Sequence, residues 1–225
     1  MLACIAWGNA FANVPDHVRK AAGKVNKAKL RAEVCANSDA RIDQEINNVR
    51  ARLLAGGDCW WDFSDGRYIV PKVDVASGQQ EVSSIFAGSV WLGGVDPVGN
   101  LKLACQDYRP GGDNDFWPGP LSEAGFTESF TCANWDRHFR VTGEEIRKHL
   151  GNLAVGNVNE NEIPRGVKGW PARGNTFFPD VWGFDLPFTQ QALAGFFDRD
   201  EDGLYEPLDG DYPSIEIRGC ALDRY

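Results

Sequence analysis

Apolar patterning along the chain sharpens at Asp39. Ile42, Ile46, Val49 and Leu53 then fall at i, i+4, i+7 and i+11, the spacing of one helix face. That spacing predicts a helix with Ser38 or Asp39 as its cap and Gly56-Gly57 as its end. Asn47-Asn48-Val49 reads equally well as the opening of a strand. Beyond Gly57 the pattern becomes that of β structure. Trp60-Trp61-Asp62-Phe63 runs into a turn at Ser64-Asp65-Gly66, and residues 67–70 resume an extended run before Pro71. Small and apolar residues fill 85–92, and Gly93 to Asn100 is dense in turn formers. Leu101, Leu103 and Cys105 then alternate with Lys102, Ala104 and Gln106. Two apolar runs around a Gly/Pro/Asn loop predict a hairpin. Residues 108–125 read as a loop whose Phe116 and Trp117 need burial against a sheet. Thr142-Gly-Glu-Glu145 is a capping box, followed by a short stripe of Ile146 and Leu150 before Gly151. Residues 151–180, rich in Gly, Asn and Pro, read as a long loop, and 189–197 read as helical.

Composition narrows the class. At 225 residues the chain holds one large domain or two small ones. Hydrophobic residues at 43% and charged residues at 24% match a soluble globular protein. With 25 Gly, 12 Pro, 8 Trp and 1 Met, short strands and turns fit better than packed helices. The predicted fold is mainly β: a sandwich-like antiparallel sheet with long aromatic-rich loops and one or two short helices. A net charge of -9 argues against a nucleic-acid partner, which needs a basic face. No apolar run approaches the roughly 18–20 residues of a membrane span.

Residues 1–12 are small or apolar and end in Ala10-Phe11-Ala12, like the later part of a secretory signal peptide without its basic start. A buried N-terminal strand is the competing reading. Residues 13–37, rich in Lys, Arg and Ala, read as a basic leader or linker. Residues 38–225 then form the β-rich domain, expected to be incomplete at its C-terminus, so that the rest of a longer parent chain is its first partner. Cysteines stand at 4, 35, 59, 105, 132 and 220 with no C-x-x-C, which disfavours a zinc cluster. Loss of Cys4 with a signal leaves an odd number, hence a free thiol or an outside partner; five small buried hydrophobes are the alternative.

One segment carries a chemical mechanism. Asp198, Asp200 and Asp202 alternate and are followed by Gly203, Leu204, Glu206 and Asp209, the D-x-D-x-D-G pattern of a calcium loop across 198–209. A hard cation of calcium's size takes six to eight oxygens. The three aspartates supply carboxylates, Gly203 permits the sharp turn, Leu204 offers a carbonyl, and Glu206 and Asp209 complete the set. An EF-hand ends in Glu, so Asp209 predicts modest affinity, and a single loop predicts a structural staple; a solvated acidic turn is the competing reading. Elsewhere His17, His138 and His149 lack ligand spacing, and no nucleophile elbow or P-loop occurs. Asp136-Arg137-His138 reads as a polar cluster. Asp113, Asp115, Asp136, Glu144 and Glu145 leave a glycosidase pair open without selecting one. Trp60, Trp61, Trp117, Trp170 and Trp182 offer a sugar-stacking platform or, more commonly for Trp in a β-rich chain, core.

Several phrases taken together carry a resemblance. They include Asn47-Asn48-Val49, Trp91-Leu-Gly-Gly94, Asp115-Phe-Trp-Pro-Gly-Pro120, Gly169-Trp-Pro-Ala-Arg-Gly-Asn175 and Asp202-Gly-Leu-Tyr-Glu-Pro-Leu-Asp-Gly-Asp-Tyr-Pro213. Over roughly 45–225 the chain resembles the N-terminal region of large secreted surface proteins exported by the type IX secretion system. The resemblance implies an extracellular or outer-surface location and no particular reaction. The expected function is a non-enzymatic, calcium-stabilised structural or adhesive module of a secreted or cell-surface protein, with surface polysaccharide or other surface proteins as further partners. An extracellular polysaccharide-binding or polysaccharide-degrading module is the alternative.

Overall fold

The computed structural model describes residues 35–106, 115–122, 127–157, 159–187 and 193–215. The signal-like segment, most of the basic leader, Cys4, Cys220 and the 189–192 part of the expected helix lie outside these residues. The chain divides into two compact units, one ending at Pro118 and the other beginning at Gly119. Within them the described strands lie in antiparallel sheets accompanied by a few short helices.

The first unit is built on β1 (Arg41–Gln44), β2 (Arg50–Leu54), β3 (Asp58–Cys59), β4 (Tyr68–Ile69), β5 (Ser83–Ile85) and β6 (Gly88–Ser89). They form one sheet in the order β5-β4-β2-β3-β6, with β1 also paired to β2. The helix expected over 39–55 is therefore a hairpin. Ile42 lies opposite Leu53 and Asp43 opposite Arg52, and Asn47 makes the turn at a φ of 53°. Ile42 and Leu53 are neighbours across a ladder instead of along a helix. Ile46, which the helical reading buried, is exposed in the turn. The period of two in Arg50-Ala51-Arg52-Leu53 won: Ala51 is buried and both arginines share the other face.

The turn after β3 forms as its sequence predicts. The Asp62 carboxylate accepts the N–H groups of Ser64 and Asp65 at 3.2 and 2.8 Å, and Trp61 bridges to Gly66. The Asp65 N–H, followed by Arg67 and Ser64, holds the Asp62 carboxyl well below the ordinary carboxylate range. Trp61 is buried, and its indole N–H donates to buried Asp58 at 2.5 Å, so neither polar group is left unsatisfied. Phe116 lies against Gly57, where a Cβ would sit 2.8 Å from its ring; Phe116 and Trp117, both expected to be buried, are half-buried.

The predicted hairpin forms with its first strand shifted from the 85–92 run. β7 (Leu92–Val95) pairs with β8 (Leu101–Ala104), so that Gly93–Val95 are strand instead of the expected turn, while 83–85 and 88–89 belong to the larger sheet. Asp96 organises its turn by accepting from the N–H groups of Val98 and Asn100 at 3.1 and 2.8 Å. Val95, Leu101 and Leu103 share one face of this ribbon and all three are exposed.

The second unit contains α1 (Ser129–Trp135), α2 (Gly143–Ala154), α3 (Arg165–Lys168), α4 (Phe178–Trp182), β9 (Phe196–Phe197) and β10 (Tyr212–Pro213). Among the described residues these four helices exceed the one or two expected. The capping box is complete: Thr142 Oγ1 accepts from the Glu145 N–H, and the Glu145 side chain accepts from the Thr142 N–H at 2.9 Å. The other Glu145 oxygen accepts from the Gly166 N–H at 2.9 Å, where α3 begins. α2 runs through Gly151 to Ala154 and buries Ile146 and His149 on one face. The stretch read as a long loop over 151–180 thus holds the end of α2, a 3-10 turn at Glu160–Glu162, α3 and α4. Helices of four or five residues are too short to show a period. They are fixed by packing: Val167 and Phe178 are fully buried. At Gly169 the backbone approaches α4 so closely that a Cβ would lie 2.6 Å from Trp182 Nε1, and that nitrogen donates to the Gly169 carbonyl at 2.7 Å. The core gathers Ile146, Ile163, Val167, Ala172 and Tyr205, with Leu150, Phe196 and Leu208 against it. Each fully buried aliphatic side chain stabilises by about 1.5–3 kcal/mol.

Candidate metal centre

The acidic segment is the connection of a hairpin. Phe197 pairs with Tyr212 and Phe196 with Pro213, so Asp198 leaves β9 as Asp211 enters β10. The expectation of helix before the loop fails for residues 196–197, which are strand. Phe196 packs edge-on to Tyr205 at 5.4 Å between centroids, and Phe197 stacks on Tyr212 at 4.9 Å. Aromatic residues on both strands favour this pairing.

The loop is ordered by its own polar groups. One Asp198 oxygen accepts the Glu201 N–H at 2.8 Å and the other accepts the Gly203 N–H at 2.7 Å. Asp202 accepts the Leu204 N–H at 2.7 Å. Gly203, expected to permit the sharp turn, sits in the left-handed region at a φ of 78°. Asp198, Asp200 and Asp202 each place a carboxylate oxygen within 4.8 Å of the others. Two oxygens bound to one calcium ion at about 2.3–2.6 Å lie at most about 5 Å apart, so the triad fits a single hard cation. Asp200 and Asp202 are exposed and Asp198 is half-buried.

The remaining predicted ligands stand differently. Glu206 is half-buried. Burial first, and then the charges of Asp202, Asp209, Asp200 and Asp211, push its carboxyl above the ordinary value. Asp209 donates its N–H to the Glu206 carbonyl at 3.0 Å, and its own carbonyl accepts from Arg199 at 3.3 Å. The Leu204 side chain lies over Gly174. The close group is therefore the triad; Glu206 belongs to its field, and Leu204 and Asp209 lie farther along the same loop.

Sequence reasoning missed Asp211. It is buried, and its two oxygens accept the N–H groups of Arg199 and Glu206 at 2.9 and 2.8 Å, tying the start of the loop to its middle. Burial raises its carboxyl above the ordinary value against the pull of those two N–H groups. The available signal was a further acid two residues past the twelve-residue motif. Tyr205 and Pro207 fasten the loop to the core. The Tyr205 hydroxyl donates to the Val167 carbonyl at 2.9 Å, and the Pro207 carbonyl lies 2.8 Å from His149 Nε2.

His149 is expected to make stability depend on pH. Burial, opposed by the bond to Pro207, lowers its pKa below the ordinary 6.5. Its folded form resists protonation while the unfolded chain accepts a proton below about pH 6.5. Stability is therefore expected to be level above that pH and to fall as pH drops from 7 to 5.5. Urea midpoints across this range check it, and His149→Gln should flatten the dependence; an equal slope in that variant removes His149 as the cause.

The other candidates stand as follows among the described residues. Trp61 is buried, and Trp60, Trp117, Trp170 and Trp182 are half-buried; the first three belong to the first unit and the last two to the second. Trp60 packs on Tyr68; Trp182 joins Phe139 and Phe178, with Arg137 and Arg165 against its ring. Glu145 is spent on helix caps and Asp115 on the Cys105 N–H. Cys35 and Cys132 are disulfide-bonded, whereas Cys59 and Cys105 are thiols. Asp113 and His17 lie outside the described residues. No described helix is long and apolar enough to cross a membrane. Comparisons with protein-family models, curated proteins and solved structures give no match.

Proposed function

We propose that this chain is a non-enzymatic, calcium-stabilised module with a structural or adhesive role in a secreted or cell-surface protein. The observation that carries the reading is the Asp198, Asp200 and Asp202 triad, gathered on a hairpin loop whose backbone is already bound by Asp198, Asp202 and Asp211. Calcium would be held by the triad, with Glu206, Asp209 and the Leu204 carbonyl as further oxygens. Its chemistry there is charge neutralisation. The loop is flanked by strands and anchored in the core through Tyr205, which suits a staple; a calcium switch of the opening kind needs paired helices. Disulfides at Cys35 and Cys132 support an oxidising location, in keeping with the resemblance to exported surface proteins.

Calorimetric titration of the chelator-stripped chain with calcium tests the proposal. One saturable site, lost in Asp200→Ala, is expected; no heat of binding up to millimolar calcium rejects the metal. Turnover of a polysaccharide by the full protein, abolished by a point substitution within 45–225, would replace the non-enzymatic reading.

A further inference from the structure

We propose that a pocket on the first unit's sheet binds a single neutral sugar ring. The proposal does not depend on a cation in the 198–209 loop.

The pocket encloses about 200 Å3 over the side chains that β1, β2 and β4 present on one face. Three ion pairs line it. Arg52 holds Asp43 across the β1–β2 register, with Nη2 at 2.8 Å from Oδ2. Arg50, two residues before Arg52 and on the same face, pairs with Glu81 and, at 2.7 Å, with Glu45. Arg67 pairs with Asp62 beside the Ser64-Asp65 turn. Buried Ile69 is the one apolar lining residue.

The chemistry of this lining selects its ligand. Three guanidinium groups and three carboxylates leave the pocket itself neutral. An anion meets three carboxylates and a cation meets three arginines. An apolar ligand would strip these groups of water with nothing in return. A zwitterion would give up the hydration of both its charges to partners that already neutralise each other. A sugar ring has no charge to desolvate. Each hydroxyl donates one hydrogen bond and accepts up to two, so adjacent hydroxyls can donate to a carboxylate while accepting from its guanidinium.

Donors and acceptors remain for this. Arg52 spends Nε and Nη2 on Asp43, Arg50 spends Nε and Nη1 on Glu45 and Glu81, and Arg67 spends Nε and Nη2 on Asp62. A guanidinium carries five N–H groups, so each arginine retains some to offer. The six side chains are between 14% and 40% exposed and held by their partners, so little side-chain freedom is left to lose on binding. Drug-sized ligands need about 300–1,000 Å3, so this smaller space suits one ring, free or as a residue of a glycan.

The test is a backbone NMR titration of the intact chain with glucose, galactose and mannose, each alone, beside glycine and inorganic phosphate. At least one hexose is expected to give saturable shifts centred on residues 43, 50–52 and 67. The exchange Asp43→Arg with Arg52→Asp keeps an ion pair across the register but reverses donor and acceptor. It should leave the melting temperature near that of the wild type and weaken the sugar at least tenfold. Arg50→Gln, which leaves the Arg52–Asp43 pair in place, should weaken it similarly and serves if the exchanged variant does not fold. Absence of saturation by all three hexoses, undiminished binding in the folded variants, or a response confined to glycine or phosphate overturns the proposal.

Discussion

Tyr205→Ala is expected to remove about 3–5 kcal/mol of stability, the range for truncating a buried aromatic residue. Typical total stability is about 5–15 kcal/mol, so this one change should bring the second unit close to unfolding. Tyr205 is fully buried, its ring meets Phe196, its N–H donates to the Arg173 carbonyl, and its hydroxyl donates to the Val167 carbonyl. Ala keeps only the backbone bond. Tyr205→Phe separates the terms: it retains the ring, loses the hydroxyl's bond to a Val167 carbonyl that still accepts the Trp170 N–H at 3.3 Å, and should cost about 0.5–1.5 kcal/mol. Urea midpoints for both variants check the pair of values. Tyr205→Ala with a midpoint within error of the wild type would show that the loop is not anchored by this residue. The phenol supplies a second measurement. Burial, and then the charge of Asp211, raises its pKa above the ordinary 10. The stabilisation is whole below pH 10 and declines above it, as the unfolded chain ionises first. Tyr205→Phe should weaken that alkaline decline.

Under the calcium proposal, chelation is the second large effect expected. A ligand that binds only the folded state adds RT ln(1 + [L]/Kd), about 2.7 kcal/mol at a hundredfold excess over Kd. For a chain of this length that corresponds to about 5–10 °C in melting temperature. Excess chelator should therefore lower the melting temperature by that order. Asp200→Ala should lower it in calcium and blunt the response to chelator, because a ligand is lost while the loop's backbone bonds, made by Asp198, Asp202 and Asp211, survive. Gly203→Val should lower it in both conditions. It strains a φ of 78° and places a side chain against Arg173, whose Nη2 would lie 3.3 Å from the new Cβ. Differential scanning calorimetry in calcium and in chelator is the measurement; superimposable wild-type curves reject the metal.

What was legible in the sequence is what local chemistry decides. The second strand and turn of the β7–β8 hairpin could be read because Asp96 and Asn100 close the turn through their own side chains, whereas the first strand begins only at Leu92, where the apolar run that predicts it ends. The cap of α2 could be read because Thr142 and Glu145 need only each other. Gly203 and the triad could be read because a twelve-residue loop imposes its own spacing. Residues 39–55 misled because Ile42 and Leu53, neighbours across a register, also sit at helical spacing. α3 and α4 are held by Val167, Phe178 and the Gly169–Trp182 bond, contacts that no local period announces. Asp211 acquires its role only when β9 and β10 pair and carry it to the N–H of Arg199. The pocket's arginines were visible as residues, but their convergence depends on β2 lying between β1 and β4.

Glu145 shows how tertiary context narrows what a local motif tolerates. An ordinary capping box accepts Gln as readily as Glu, since one acceptor oxygen suffices. Here one oxygen serves Thr142 and the other serves the Gly166 N–H. A glutamine has a single acceptor oxygen, and its amide NH2 would face one of these two donors. At this position the substitution that helix grammar treats as a synonym is a change of meaning, because the residue belongs to two helices at once.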